Sequence, residues 1–162
     1  MGNNWKITDT LTKVFADEVP DGQGSIRLST LHRETVSCVI AYFGAADWGR
    51  YWKDSVKAPE KIETRLRRVE LVPSAYPCHK EQDDNYLRIV PGMYPDLLRD
   101  LDTEDDGADK KYLTKEVPGQ WRSLWLDVTV DAELAGGDYA IVIETETEDG
   151  EKATLKADLH VV

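Results

Sequence analysis

The sequence contains few of the residues on which metal and nucleophilic chemistry depend. Its 162 residues include two cysteines, Cys38 and Cys78, and three histidines, none of them in a zinc-binding or catalytic-triad motif. Two cysteines are too few for the disulfide framework of a small secreted protein. Cys38 lies in an apolar strand pattern, which predicts a buried thiol. We therefore expect no metal ion, no cofactor and no catalytic residue in this chain.

Long apolar runs are also missing. No segment approaches the roughly 20 consecutive apolar residues of a membrane-spanning helix. The first ten residues, MGNNWKITDT, have neither the basic start nor the apolar centre of a signal peptide. The sequence therefore predicts a protein that has no membrane partner. A cytoplasmic location is expected, or a secreted one if the sequence is truncated.

Positive charge is scarce in the second half of the chain. Overall, 31 acidic side chains stand against 20 basic ones, which gives a formal net charge of −11. Residues 1–81 carry 12 basic and 11 acidic side chains, whereas residues 82–162 carry 8 basic and 20 acidic ones. Nucleic acids and anionic membranes repel such a chain, so the composition argues against both as main partners.

The sequence does contain the pattern of a folded, β-rich protein. Apolar residues make up 41% of it, and five tryptophans are present, which excludes a disordered chain. Its length suits one domain. Short segments with period-two alternation, separated by turn residues, are typical of strands. We therefore predict that residues 1–162 form a single all-β domain, an antiparallel β-sandwich of immunoglobulin-like or jelly-roll type.

Seven segments are predicted as strands, namely 8–15, 25–30, 34–43, 61–72, 120–130, 139–144 and 153–162. Segment 61–72 fits either a helix or a strand whose phase slips at a bulge, and its neighbours favour the strand. In 120–130 the alternation is cleanest, with aliphatic side chains on one face and Trp121 and Trp125 on the other. Asp149-Gly150 predicts a type I′ turn before the last strand.

The region of about residues 73–118 shows little regular pattern, and we predict a long irregular insertion there. Within it, segment 94–101 can hold one helical turn that starts at Pro95. Asp83-Asp84 is predicted to serve a turn rather than acid–base catalysis. Segment 45–54 is predicted to be a loop.

The acidic run 102–109 resembles the opening of a calcium-binding EF-hand loop. Asp102, Glu104 and Asp106 are followed by Gly107, as in such loops. The chelating Glu expected at the twelfth position is Leu113 here. We therefore expect a solvated acidic loop, and calcium binding to it stays an open question.

Large aromatic side chains are the remaining candidates for binding. A tryptophan or tyrosine ring can stack on the apolar face of a sugar, and the candidates are Trp48, Tyr51, Trp52, Tyr86, Tyr94, Trp121 and Trp125. The same rings can instead pack in the core or beneath a cover. If the aliphatic face of segment 120–130 is the sandwich interior, its tryptophan face must be covered by region 73–118 or by another domain.

Four motifs occur in an order that resembles a known family. They are Asp83–Arg88 (DDNYLR), Pro91–Leu98 (PGMYPDLL), Gln120–Trp125 (QWRSLW) and Ala135–Tyr139 (AGGDY). Leu31–Tyr42 (LHRETVSCVIAY) adds a similar strand. Together they resemble the N-terminal domain of bacterial glycoside hydrolases similar to glycoside hydrolase family 123 and its uncharacterised relatives. The resemblance extends over nearly the whole chain.

The resemblance implies a β-sandwich placed ahead of a (β/α)₈ catalytic barrel, whose Asp-Glu pair hydrolyses N-acetylhexosamine glycosides. Such a barrel does not fit into this chain. The chain is then expected to be the non-catalytic accessory domain of a longer enzyme, excised from it and packing against the barrel. Arg122 is expected to pair with a carboxylate of the acidic half. The residues expected to contact carbohydrate or the barrel are Trp48, Trp52, Tyr86, Arg88, Tyr94, Trp121, Arg122 and Trp125.

Two other functions fit the same residues. One is an independent carbohydrate-binding module with its own sugar site. The other is an immunoglobulin-like adhesion or scaffold domain without sugar chemistry. The sequence leaves the three functions open, and it also leaves open the sugar specificity of the parent enzyme and the oligomeric state.

Overall fold

The structure, a computed structural model, describes residues 4–76, 86–105 and 110–162. Within these ranges the chain forms strands, turns and loops, and no helix. The all-β fold class predicted from the sequence is confirmed. The strands are β1 Trp5–Thr8, β2 Ser25–Thr30, β3 Thr35–Phe43, β4 Tyr51–Lys57, β5 Ile62–Ser74, β6 Gly92–Asp100, β7 Thr103–Asp105, β8 Lys110–Lys115, β9 Trp121–Val130, β10 Gly137–Thr147 and β11 Lys152–Val161.

The strands form two sheets that pack face to face. Sheet A has the order β1-β3-β9-β5-β6, and sheet B has the order β2-β11-β10-β4-β8-β7. Neighbouring strands are antiparallel, except that β2 runs parallel to β11, with Ser25 opposite Lys156. The predicted antiparallel sandwich is therefore present with one parallel pair at an edge.

Alternation along β9 determines which side of sheet A faces the interior. The aliphatic side chains of this strand are at most 1% exposed and belong to one core cluster with side chains of sheet B. Burying a side chain of this kind stabilises the fold by about 1.5–3 kcal/mol. The buried β9 residues are Leu124, Leu126, Val128 and Val130.

Three aromatic rings pack together between the sheets. Trp52 of β4 contacts Trp5 edge-on, with a centroid distance of 4.7 Å, and Tyr42 edge-on at 4.9 Å. Trp5 and Tyr42 lie 5.6 Å apart. Such pairs contribute about 0.5–1.5 kcal/mol each beyond their burial. The cluster therefore joins β1 and β3 of sheet A to β4 of sheet B.

The first predicted strand, 8–15, is wrong in its position. β1 ends at Thr8, because the Asp9 carboxylate accepts the backbone N–H groups of Leu11 and Thr12, each at 2.9 Å, and turns the chain. Residues 9–24, which we call the cover segment, then leave the sheet. Its apolar side chains Val14 and Phe15 are nevertheless buried.

The predicted irregular insertion at 73–118 is more regular than expected. Its described residues contain β6, β7 and β8, and segment 94–101 lies mostly in β6 rather than in a helical turn. An edge strand tolerates Pro95, because its outer backbone positions need no partner. Segment 45–54, predicted as a loop, already includes the start of β4.

Two local predictions concern turns and bulges. Segment 61–72 is a strand, as favoured, and a register shift between Glu70 and Leu71 marks an irregularity in its pairing with β6. The β10–β11 turn differs from the expected type I′ turn. Of its residues only Gly150 has a positive φ, +88°, and its N–H donates to Thr147 O at 2.9 Å. A type I turn followed by a left-handed glycine suits this longer loop.

Gly44, just after β3, lies unusually close to another segment. A Cβ atom there would lie 2.1 Å from the carbonyl oxygen of Val117, which is backbone and cannot rotate away. Gly44 also accepts a hydrogen bond from the N–H of Gly119 at 2.8 Å and donates to Gln120 O at 3.0 Å. This contact fixes the loop that leads into β9 against the end of β3.

We predict that Gly44→Ala lowers the free energy of unfolding by about 1–3 kcal/mol, because the added methyl group forces the two backbones apart. Chemical denaturation monitored by tryptophan fluorescence measures the change. Gly24→Ala is the matched control, since a Cβ there meets no atom within 4 Å. Equal stabilities of the two variants would contradict the steric argument.

Candidate functional site

The outer face of sheet A holds the tryptophans expected at a contact surface. Trp121 is 6% exposed and packs with Val14, Val39 and Ala41 in a second apolar cluster outside the sandwich interior. The backbone N–H of Trp121 donates to Ala16 O at 3.0 Å. The cover segment therefore lies on this face and shields Trp121.

The motif residues Arg88 and Tyr94 hold the cover segment from the other side. The Arg88 guanidinium lies 3.8 Å from the centre of the Phe15 ring and pairs with Asp17 at 2.9 Å and Glu18 at 3.1 Å. Tyr94 meets the same ring edge-on at 5.6 Å. The sequence predicted region 73–118 or another domain as the cover. Among the described residues the cover over Trp121 comes instead from residues 9–24, and Arg88 and Tyr94 of region 73–118 clamp it.

Trp125 lies four residues after Trp121 on the same face of β9. Its side chain is only partly buried and belongs to a polar network. Its indole N–H and the Ser37 hydroxyl both donate to one oxygen of Asp127, at 2.8 and 2.7 Å. Arg67 binds the other oxygen. Burial raises the pKa of Asp127, but these hydrogen bonds outweigh it, so the pKa lies below its ordinary value. The carboxylate is therefore ionised and saturated, and it orients Trp125.

The other predicted contact residues are not brought together with this face. Trp52 is 2% exposed, because the alternation of β4 points it into the core, so its ring is closed to a sugar. Trp48, in the segment before β4, is 54% exposed, and Tyr86 is 49% exposed. Arg122 lies at the end of the sandwich, beside Tyr42 on its interior-facing side.

A buried carboxylate, Asp54, was missed by sequence reasoning. It lies at an inward position of β4 and is 0% exposed, and the hydroxyls of Thr114 and Thr145 donate to its two oxygens at 2.6 Å each. Burial raises the pKa of Asp54 to about 6, although the two hydroxyls lower it. The inward position of Asp54 between Trp52 and Val56 was the available sequence signal.

A second missed group is Arg50, which binds three carboxylates. Its guanidinium contacts the buried Glu116 at 3.2 Å, Asp149 at 3.1 Å and Glu151 at 3.0 Å. The last two come from the β10–β11 turn. Arg50 therefore joins that turn to the segment after β8. Removing either Arg50 or Glu116 would leave the charge of the other side chain buried without a partner.

A groove of about 620 Å³ lies on the outer face of sheet B. Several of its charged side chains pair with one another, as Lys57 does with Glu144 at 2.6 Å and Lys152 with Glu146 at 3.5 Å. Tyr51, 51% exposed, stands at its edge under the Lys115 ammonium group, 4.8 Å from the ring centre. An aromatic ring beside hydroxyls and charges is a setting in which a saccharide can bind.

The remaining candidates from the sequence are metal-binding groups and reactive side chains. Among the described residues no three His, Cys, Asp or Glu side chains are placed to hold a metal ion. The calcium question concerns residues 102–109, of which 106–109 lie outside the described residues, as do Cys78, His79 and Asp83-Asp84. Cys38 is fully buried, as expected, and burial raises the pKa of its thiol to about 12. No helix of the described chain is long and apolar enough to span a membrane.

Comparison with known proteins identifies the fold. No protein-family model matches the chain, and no curated protein matches it. Among solved structures, it is similar to a family 123 glycoside hydrolase from Clostridium perfringens, studied for glycolipid glycan hydrolysis, with a TM-score of 0.66 and 10% identity. The match covers 98% of this chain and 27% of that one. The β-sandwich fold implied by the sequence resemblance is therefore confirmed, and the chain spans about a quarter of that hydrolase.

Other solved structures match less well. The N-terminal domain of PorA gives a TM-score of 0.46 at 9% identity, over 97% of this chain and 96% of that one. The protein CaCohA2 from Clostridium acetobutylicum gives 0.45 at 10% identity, over 98% and 92%.

We predict that Asp54 makes stability depend on pH. Its pKa of about 6 in the fold exceeds the ordinary 3.8, so the folded chain binds this proton more tightly than the unfolded chain. Through this group, stability rises as pH falls from about 6 towards 4, by up to about 3 kcal/mol. Asp54→Asn should remove this contribution, which urea unfolding of both proteins at several pH values measures.

Asp96→Asn, at an exposed position of β6, is the control and should follow the pH profile of the natural chain. If Asp54→Asn changed stability by the same amount at every pH between 4 and 7, Asp54 would not be the titrating group.

Proposed function

We propose that the chain is a non-catalytic accessory domain of a glycoside hydrolase of the family 123 kind, with a parent enzyme acting on N-acetylhexosamine glycosides. The observation that carries the proposal is the match of 98% of this chain to 27% of such a hydrolase. The order of the four sequence motifs supports it independently. An accessory domain of this kind supplies a surface to the catalytic domain rather than reacting groups.

The placement of the described carboxylates supports a structural role for them. A pair that performs glycoside hydrolysis must flank an open cleft, with one carboxyl protonated and the other ionised. Asp54 lies inside the sandwich, Glu116 is buried against Arg50, and Asp127 is saturated by three donors. Asp54 and Asp127 hold neighbouring strands together, and the charge of Glu116 is balanced by Arg50.

A patch of exposed apolar side chains is the proposed contact with the catalytic barrel. Five such residues lie within segment 86–97, next to the clamp on the cover segment. Apolar side chains concentrated in this way mark interaction surfaces. The exposed residues are Leu87, Ile89, Val90, Met93 and Leu97.

We expect the purified 162-residue chain to leave 4-nitrophenyl N-acetyl-β-hexosaminides unhydrolysed, measured by absorbance against a buffer blank. In cells of the source organism, an antibody against the chain should detect a polypeptide several times longer than 162 residues. Turnover by the chain alone, or detection of the short chain only, would contradict the proposal.

A second candidate, a carbohydrate-binding module, is favoured by the groove beside Tyr51. It would stack a neutral sugar on that ring. Titration with a panel of neutral oligosaccharides, followed by calorimetry, would then give saturable heat that Tyr51→Ala removes and Tyr76→Ala, at another exposed tyrosine, keeps. No heat with any member of the panel would reject this function.

A further inference from the structure

A pocket of about 460 Å³ opens at the end of the sandwich where β3 ends and β9 begins. Its floor includes Tyr42, and its walls come from residues 68–70 in the middle of β5 and from segment 115–118. Gly49 also lines it, and a Cβ atom there would lie 2.9 Å from Lys115 Cε and 3.0 Å from Glu116 O. The pocket is therefore built by close approach of two loops, and its volume lies in the range of small-molecule sites.

The pocket carries an excess of positive charge in a chain of net charge −11. Its charged lining consists of three cations and two carboxylates. Glu116 is already bound by Arg50, outside the lining, and Glu70 is bound by Arg68. Among the described residues, Lys115 and Arg122 make no ion pair, so their charges remain to attract an anion.

Arginine donors at this pocket lack acceptors. The Nε atoms of Arg68 and Arg122 are buried and meet no acceptor among the described residues. Arg122 donates through Nη2 to Gln120 Oε1 at 2.9 Å and forms no ion pair, so the expected carboxylate partner from the acidic half is absent among the described residues. The reason is positional, since β9 places Arg122 beside Tyr42 and away from the acidic turns. An arginine carries five N–H donors, so each guanidinium keeps donors that its protein partners do not occupy.

The floor of the pocket adds a neutral phenol. Burial, and then the charge of Asp54, raise the pKa of Tyr42, while Arg122 and Arg68 lower it. The net rise keeps the phenol protonated. The pocket thus combines guanidinium groups, which match a carboxylate in plane and spacing, with uncharged walls at Val69, Val117 and Pro118, against which the remainder of a ligand can pack.

We propose that this pocket binds a small ligand of monosaccharide size through a carboxylate group, which Arg122 holds together with Arg68, while Lys115 attracts it from the rim. The site goes beyond the accessory function proposed above and holds whether or not a catalytic domain adjoins this chain. Two properties of the pocket favour a ligand of this kind. The planar donors of the arginines suit a carboxylate, and the remaining volume holds the uncharged part of the ligand.

The test compares the binding of D-glucuronate with that of D-glucose. The two sugars are alike except that D-glucuronate carries a carboxylate where D-glucose carries a hydroxymethyl group. Calorimetry at low ionic strength with the 162-residue chain should give a saturable dissociation constant of about 1 mM or tighter for D-glucuronate, weaker at high salt, and no saturation for D-glucose. Inorganic phosphate, the competing oxoanion, should bind more weakly. Equal binding of both sugars, phosphate binding without D-glucuronate binding, or no binding of either anion would overturn the proposal.

Variants assign the binding to the pocket. Arg122→Gln should weaken D-glucuronate binding by about tenfold or more. Arg65→Gln, on the same sheet but on its outer face and paired with Asp100, is the matched control and should leave binding unchanged. Lys115→Gln changes an exposed side chain and should weaken D-glucuronate binding by a few-fold. This variant keeps the test valid if Arg122→Gln destabilises the fold.

Glu70→Gln provides a gain-of-binding test. Glu70 pairs with Arg68 and competes with an incoming carboxylate, and its side chain is 26% exposed. Removing its charge should tighten D-glucuronate binding by about threefold to tenfold. A purely structural role of the Arg68–Glu70 pair predicts no such gain, so unchanged or weaker binding of this variant would overturn the proposed site.

Discussion

The structure depends on β9, the strand on which both faces of sheet A are built. It pairs with β3 on one side and β5 on the other. Its aliphatic face closes the sandwich interior, and its tryptophan face is closed by the cover segment. A one-residue slip of β9 would exchange the two faces and place indoles between the sheets. The register of sheet A is therefore fixed by the need to bury two unlike surfaces at once.

Polar groups fix the register of sheet B in a related way. Asp54 in β4 is held by Thr114 of β8 and Thr145 of β10, so one carboxylate connects three adjacent strands. Burying a carboxyl group costs free energy, and the two hydroxyls offset part of that cost. A one-residue slip of β8 or β10 would turn its threonine to the other face and leave a carboxyl oxygen without its donor, which makes the arrangement specific although it is not the most stabilising choice for a core.

Most strands could be predicted from their apolar pattern, including β5 with its phase slip, whereas β4 and β6 could not. β2 and β9 were predicted within one residue, since their side chains alternate strictly. β4 was missed because Asp54 occupies a core position, which an apolar pattern does not include. β6 was read as a helical turn because Pro95 and a Leu-Leu pair suit a helix start as well as an edge strand.

The sites were harder to predict than the strands, because their surroundings come from distant parts of the chain. The pattern of β9 indicates that Trp121 needs a cover. It does not indicate that residues 9–24 supply it, because residues 8–15 were predicted as a strand. Arg122 was selected from a motif, and its position next to Tyr42 and Arg68 follows only from the pairing of β9 with β3 and β5. Trp52 was selected as an exposed ring and lies in the core.

The parallel pairing of β2 with β11 has a consequence for how the chain folds. Ser25–Thr30 lies near the beginning of the sequence, and its partner Lys156–Val161 lies at the end. Closing a loop of this length is entropically costly and slow. During synthesis β2 has no partner strand within sheet B until β11 has been made. The β2 edge of sheet B therefore stays open until β11 is available, with its backbone N–H and C=O groups unpaired.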